Sequence, residues 1–248
     1  MVNGAQAAAA AAANRYMLVD ALRGCAIVLM VGYHFSFDLN YFYRLGLDFN
    51  HDPLWLNLRV FIVSLFLGLV GISLHLAMRH GFNRARYLRR LGAIVACAGL
   101  VTAASLAMFP RSFIYFGILH FIAVASVVAL PMARLFWTNL WLGAALVVLG
   151  TSVQLPMFDR PPLQWIGLMT HKPITEDYVP LLPWLGVVLI GIFIGRWLYR
   201  EPLPRLAGWR TTAPVGRVLA FGGRHSLFIY MAHQPLLFAV LYLLTSIR

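Results

Sequence analysis

The chain has 248 residues, 61% of them hydrophobic and only 11% charged, with a mean hydropathy of +0.77. Soluble domains carry about 25% charge, so this composition indicates a polytopic, all-α membrane protein. The formal charge of +12 is no nucleic-acid signature, because the arginines alternate by loop rather than gathering in one soluble patch. Two cysteines, Cys25 and Cys97, both lie in apolar stretches and suggest neither a disulfide framework nor a zinc site.

The alanine-rich start, residues 1–14, has no basic n-region and reads as a tail with little structure of its own; residues 15–248 read as a single transmembrane domain. The apolar run after Arg15 is long enough to stay in the membrane as an anchor.

Seven apolar stretches of spanning length follow, at about 17–36, 55–78, 88–109, 113–133, 138–156, 181–200 and 225–245. Arginines collect at 79–90, at Arg134 and at 196–224. Asp38, Asp48, Asp52, Asp159, Glu176 and Asp177 collect in the alternating loops. The positive-inside rule then predicts a cytoplasmic N-terminus and an external C-terminus for this multi-pass membrane protein.

The first stretch carries Asp20, Arg23 and His34, with Asp38 just beyond its end. On a helix continued through Asp38 these fall within an arc of roughly 60°. Eleven residues of rise separate Arg23 from His34 by roughly 16 Å. Ionisable groups in lipid are costly, so this stripe should face protein or water. Asp38 is four residues from His34 and so a helical neighbour, suited to orient the imidazole as a general base. The plainer reading is an interfacial histidine and a loop aspartate. Arg23 is a candidate anion anchor, or simply the ion-pair partner of Asp20.

Further along, Arg59 heads the second stretch, where it either snorkels or contacts a substrate. His51 lies in the loop before it and is a second candidate base, although loop histidines are commonly just solvated. His120 lies within the fourth stretch, where an interhelical hydrogen bond and a place in the site are both compatible. In the seventh, His225, Tyr230 and His233 mark one approximate face, and Gln234 precedes Pro235, which loosens the helix. A polar pair beside a kink suits a cavity wall. The segment 171–186 enters the sixth stretch through two prolines and predicts a structured lip, with its acids and Tyr178 able to hold a polar acceptor. No P-loop, HExxH, CxxC or GxSxG occurs, and no metal site is expected.

Four blocks, VDALRGCAIVLMVGYHFSFDL, YFGILHFIA, DYVPLLPWLGVVLIGIFIGR and GRHSLFIYMAHQPLL, together resemble a bacterial membrane family similar to the catalytic domain of heparan-alpha-glucosaminide N-acetyltransferase. The Arg23-to-His34 spacing also resembles the basic-x10-His signature of the acyltransferase-3 group. The resemblance implies acetyl or acyl transfer across the membrane, from cytoplasmic acetyl-CoA to an external sugar or glycan amine or hydroxyl. It implies a nucleotide site among cytoplasmic arginines such as Arg23, with Asp20 and Arg224 beside it, and His34 as base with Asp38 orienting it. His51, Arg59, His120, His233 and Gln234 would then contact the acceptor. In the lysosomal enzyme an asparagine stands where His34 aligns, and the catalytic histidine follows in the luminal loop. Leu45 occupies that place without a gap, which leaves His51 as the alternative base.

A transporter or flippase for a lipid-linked sugar or small anion is the rival class, and a non-catalytic membrane subunit a third. The partners expected are the bilayer and a small or lipid-linked glycan acceptor, with no nucleic acid. Oligomeric state is not fixed by periodicity when every face is apolar, and a homodimer is compatible.

Overall fold

The computed structural model describes residues 16–79, 81–199 and 209–246. The tail at 1–14, Arg15, Arg200, Glu201 and Arg205 lie outside the described residues. Every regular element described is helical: α1 (Met17–Tyr43), α2 (Pro53–Arg79), α3 (Arg84–Met108), α4 (Ile118–Val128), α5 (Trp137–Ser152), α6 (Leu181–Leu198), α7 (Pro214–Arg224) and α8 (Ser226–Ser246), with short 3₁₀ turns at Pro131–Arg134, Pro156–Asp159 and Pro161–Ile166. Among the described residues, α1, α2, α3, α6 and α8 are long and apolar enough to cross a membrane. The chain is a multi-pass, all-α membrane protein.

The fourth and fifth apolar stretches form shorter helices, of 11 and 16 residues. At 1.5 Å per residue these reach about 16 and 24 Å, against a hydrocarbon core of about 30 Å. Residues 113–117 are not helical because the segment at 175–179 binds them. Glu176 N–H donates to the Ser112 carbonyl at 2.9 Å and Val179 N–H to the Phe116 carbonyl at 3.2 Å. The Asp177 carboxylate then caps α4, accepting from Ile118 N–H at 2.8 Å.

Two compact units are present. Among the described residues, the first combines residues 16–50 with residue 199 and residues 209–246. Its backbone is α1. The arginine-bearing segment before α8 is not simply a loop, since residues 214–224 form α7. Pro214 opens that helix, where a missing N–H costs nothing. Helix α7 lies against the start of α1 with backbone touching backbone. A Cβ added at Gly24 would stand 2.0 Å from the Leu219 carbonyl oxygen, and one at Gly223 1.7 Å from that of Asp20. These pairings (24 with 219, 20 with 223) make α7 antiparallel to α1. At His225 the chain turns, and α8 returns parallel to α1. At the far end of α1, Arg44 takes a left-handed conformation (φ 51°), and the Asn40 amide brackets Leu47 through its N–H and carbonyl, both at 2.9 Å. Phe49 folds back edge-on to Tyr33 and Phe37.

The second unit, residues 51–198, is built around α6. Helices α2 and α5 pack along it. Glycines again set the spacing: Gly71 faces the Val188 carbonyl, Gly191 the Gly68 carbonyl, and Gly143 and Gly186 face each other's carbonyls. Leu67, Phe121, Ala125, Val188, Leu189 and Ile192 form the core of this unit and are essentially sealed from solvent. Buried Asn139 ties α5 to the preceding turn, donating to the Met132 and Leu135 carbonyls at 2.8 and 2.7 Å.

The neighbouring glycines of α7 make a stringent test. A Cβ on Gly222 would meet nothing closer than 3.9 Å. Gly222→Ala should therefore keep or raise the thermal midpoint in detergent, since alanine gains up to about 1 kcal/mol in a helix. Gly223→Ala should lower it, with a cost of about 1–3 kcal/mol from overpacking against backbone that cannot yield. Equal midpoints for the two variants would refute the backbone contact.

Candidate active site

The polar residues of the first unit meet where α8 returns along α1. His34 Nδ1 lies 2.8 Å from His233 Nε2. The two rings stack at 4.9 Å between centroids with 25° between planes. His233 Nδ1 lies 2.5 Å from the Tyr230 carbonyl. One turn along α1, Asp38 is fully buried, and its carboxylate accepts from the Gln234 amide at 2.9 and 3.2 Å. Adjacent residues of α8 thus engage residues four apart on α1. Phe238 continues the contact against Tyr41 and Phe42.

The acceptors fix the proton positions. A carbonyl can only accept, so His233 carries its hydrogen on Nδ1. A neutral His233 then offers a lone pair at Nε2, which accepts from His34 Nδ1–H. His34 is left with its lone pair at Nε2. Two hydrogen bonds thereby select the tautomer of a part-buried histidine without any carboxylate touching the ring.

This differs from the in-helix pairing expected of His34 and Asp38. The carboxylate binds Gln234 instead, because a side chain on the neighbouring helix offers a donor directed at it, whereas His34 is already engaged. Gln234 Oε1 is buried and has no hydrogen-bond partner among the described residues. His225 stands apart from His233, its Nδ1 3.0 Å from the Phe221 carbonyl and its ring over Phe221.

At the other end of the unit, Arg23 and Asp20 form an ion pair at 2.9 Å. Arg224 follows Gly223, whose backbone touches Asp20, so the two arginines share this end. The Arg224 side chain is exposed and donates from Nε to the Ala220 carbonyl at 3.1 Å. Roughly 16 Å of α1 separates Arg23 from His34.

The remaining candidates belong to the second unit. His120 is satisfied on both nitrogens. Thr102 gives its own hydroxyl hydrogen to the Ile114 carbonyl, so His120 Nε2 must donate to Thr102 Oγ1, at 3.1 Å. His120 Nδ1 then accepts from Gly117 N–H at 3.3 Å. This is the interhelical bond that the sequence allowed, and it joins α3 to α4. Arg59 is half-buried and His51 exposed. The acids and tyrosine of the 171–186 segment hold the loop itself: Glu176 accepts from Ser112, Asp177 caps α4, and Tyr178 donates to the Gln164 carbonyl at 2.6 Å. Among the described residues, no cluster of three or more metal-ligating side chains occurs.

Sequence reasoning singled out His34, His233, Asp38 and Gln234 but did not pair them across helices. The only signal was that each pair is polar in an otherwise apolar run. Helix α7 was also missed. Its signal was Pro214 followed by apolar Val215, Val218 and Phe221 at three-residue spacing.

No curated protein and no solved structure matches the chain. The family described as heparan-alpha-glucosaminide N-acetyltransferase, catalytic, matches residues 15–235. That match spans α1 through the His233–Gln234 pair of α8, and the chain belongs to this family of transmembrane acetyltransferases.

Proposed function

We propose that the chain transfers an acetyl group from cytoplasmic acetyl-CoA to an amine or hydroxyl of a sugar or glycan on the other side of the inner membrane, with His34 as general base. The observation that carries this reading is the hydrogen-bond chain from the Tyr230 carbonyl through His233 to His34, which leaves a lone pair at His34 Nε2. The family supplies the reaction class.

The acyl donor is a substrate with an anionic nucleotide at one end and a thioester at the other. Arg23 and Arg224 suit the nucleotide, because guanidinium groups bind phosphates bidentately. The extended pantetheine arm suits the distance of roughly 16 Å to His34. As the acceptor nitrogen or oxygen attacks the thioester carbon, its proton passes to His34 Nε2. The tetrahedral adduct then expels the thiolate as the carbon–sulfur bond breaks, and His34 Nε2–H returns the proton to sulfur. Between these events the imidazolium charge is shared with His233, whose Nδ1–H faces a carbonyl dipole. No phosphate hydrolysis is needed, since the thioester supplies the free energy.

In this mechanism Asp38 acts through Gln234 rather than on His34. Its bond to the residue next to His233 fixes the register of α8 on α1. Asp38 and Gln234 are positioning residues.

The defining experiment is acetyl-CoA binding to the detergent-purified chain. Arg23→Ala should weaken binding about tenfold, the worth of one charged hydrogen bond. His34→Ala should bind normally and lose acetyl transfer to an amine acceptor by about 10²–10⁴. A folded wild-type protein that binds no acetyl-CoA would overturn the proposal and favour a transporter.

The relay makes a separate claim. His233→Gln can still accept from His34 Nδ1–H but cannot share its charge. It should lower kcat about tenfold or more while leaving the acetyl-CoA KM unchanged. His233→Ala should be worse than His233→Gln. A variant that changed KM alone would mark His233 as a binding residue instead.

A further inference from the structure

The second unit contains a cavity of about 550 Å³ that the acetyl-transfer mechanism does not use. Arg111, Phe113, Tyr115, Gln164, His171 and Lys172 are among the residues that line it, with the exposed Ile174 at its edge. Arg111 follows the C-terminal end of α3, so the cavity lies at the opposite end of that helix from Arg84, Arg86, Arg89 and Arg90.

Its walls are built rather than loose. The Tyr115 hydroxyl donates to Gln164 Oε1 at 2.8 Å, and Gln164 Nε2 donates to the Asp159 carbonyl at 2.9 Å. Asp159 in turn receives the N–H and hydroxyl of Thr170, both at 2.8 Å, and those bonds hold its carboxyl below the usual range. The Thr175 hydroxyl donates to the Phe113 carbonyl at 2.9 Å.

The side chains that line the cavity include three basic ones and no carboxylate. Among the described residues, the exposed Arg111 guanidinium has no hydrogen-bond or ion-pair partner. The nearby acids lie outside the lining: Glu176 accepts from Ser112, Asp177 accepts from Ile118 N–H, and Asp159 lies 3.6 Å from His171 Nδ1. Lys172 is exposed in the lining, in the field of Arg59, Asp177 and Glu176. Two cations and the Asp159-paired His171 therefore line a cavity whose remaining wall, Gln164 apart, is aromatic and apolar. That combination suits a doubly charged anion attached to a compact organic body.

We propose that this cavity binds a phosphate monoester, with Arg111 and Lys172 on the phosphate and Phe113 and Tyr115 against the body that carries it. The phosphate belongs either to a water-soluble ester or to a lipid headgroup, for which Ile174, 83% exposed at the rim, provides an apolar contact. This reading does not rest on acetyl transfer.

The test is calorimetric titration of the detergent-purified full chain with two probes, glycerol 3-phosphate and dihexanoyl phosphatidic acid. Glycerol and dihexanoyl phosphatidylcholine serve as uncharged and zwitterionic comparators. Binding of glycerol 3-phosphate as tight as that of the lipid assigns a soluble ester. Binding of phosphatidic acid alone assigns a lipid headgroup. In either case the double variant Arg111→Gln, Lys172→Gln should lose at least about tenfold in affinity. Arg160→Gln, in the same loop but outside the cavity lining, should lose nothing. His34→Ala should also bind normally, which separates this proposal from the fate of the acetyl-transfer one. Both side chains of the double variant are exposed, so its thermal midpoint should match the wild type and certify its fold. Binding of neither probe, equal binding by the comparators, or unchanged binding by the folded double variant would overturn the proposal.

Discussion

A bilayer offers no water to a side chain that cannot find a partner, and the first unit is organised around that constraint. Helix α1 carries two groups, His34 and Asp38, that hydrocarbon would penalise heavily if they were left alone. Helix α8 supplies one partner for each, His233 and Gln234, from adjacent positions. The same contacts that remove the penalty hold the imidazole in one tautomer. Stability and proposed chemistry therefore draw on a single set of hydrogen bonds.

That economy depends on α7. Two polar contacts can fix the register of α8 only if the helix is delivered close to α1, and the glycine contacts at 24 and 223 deliver it. Small residues are the usual means of bringing helices together in lipid, where apolar side chains gain nothing from leaving their surroundings. The second unit uses the same device at Gly71, Gly143, Gly186 and Gly191, with α6 as the shared partner. One of its histidines, His120, is a joint between α3 and α4, satisfied on both nitrogens.

Much of the helical architecture was legible in the sequence because hydropathy alone places apolar runs in helices. Each of the seven runs contains one. The two that fall short, α4 and α5, do so for local reasons that hydropathy does not encode: backbone bonds from the 175–179 segment consume residues before α4, and α5 ends at Ser152. The arginines of 209–224 hid α7, since positive charge reads as loop when topology is the question. Among site residues, His34 and Asp38 stood out by cost. His233 and Gln234 stood out too, as a polar pair beside Pro235, but not as their partners, because i,i+4 adjacency favours Asp38 for His34, whereas the tertiary neighbours win on geometry. The 171–186 lip was foreseen, but the cavity was not, because Arg111 and Lys172 lie some sixty positions apart and outside any helix.

The turn at His225 has one further consequence. Helix α8 begins there, with its start tied to α1 by α7 and its middle tied to α1 by His233. Inserting or deleting a single residue between the two would swing His233 about 100° around the α8 axis, away from His34. The segment from His225 to His233 is thus a fixed-length spacer. Its tolerance for substitution at lipid-facing positions such as Phe228 should be broad, and its tolerance for a change in length should be nil.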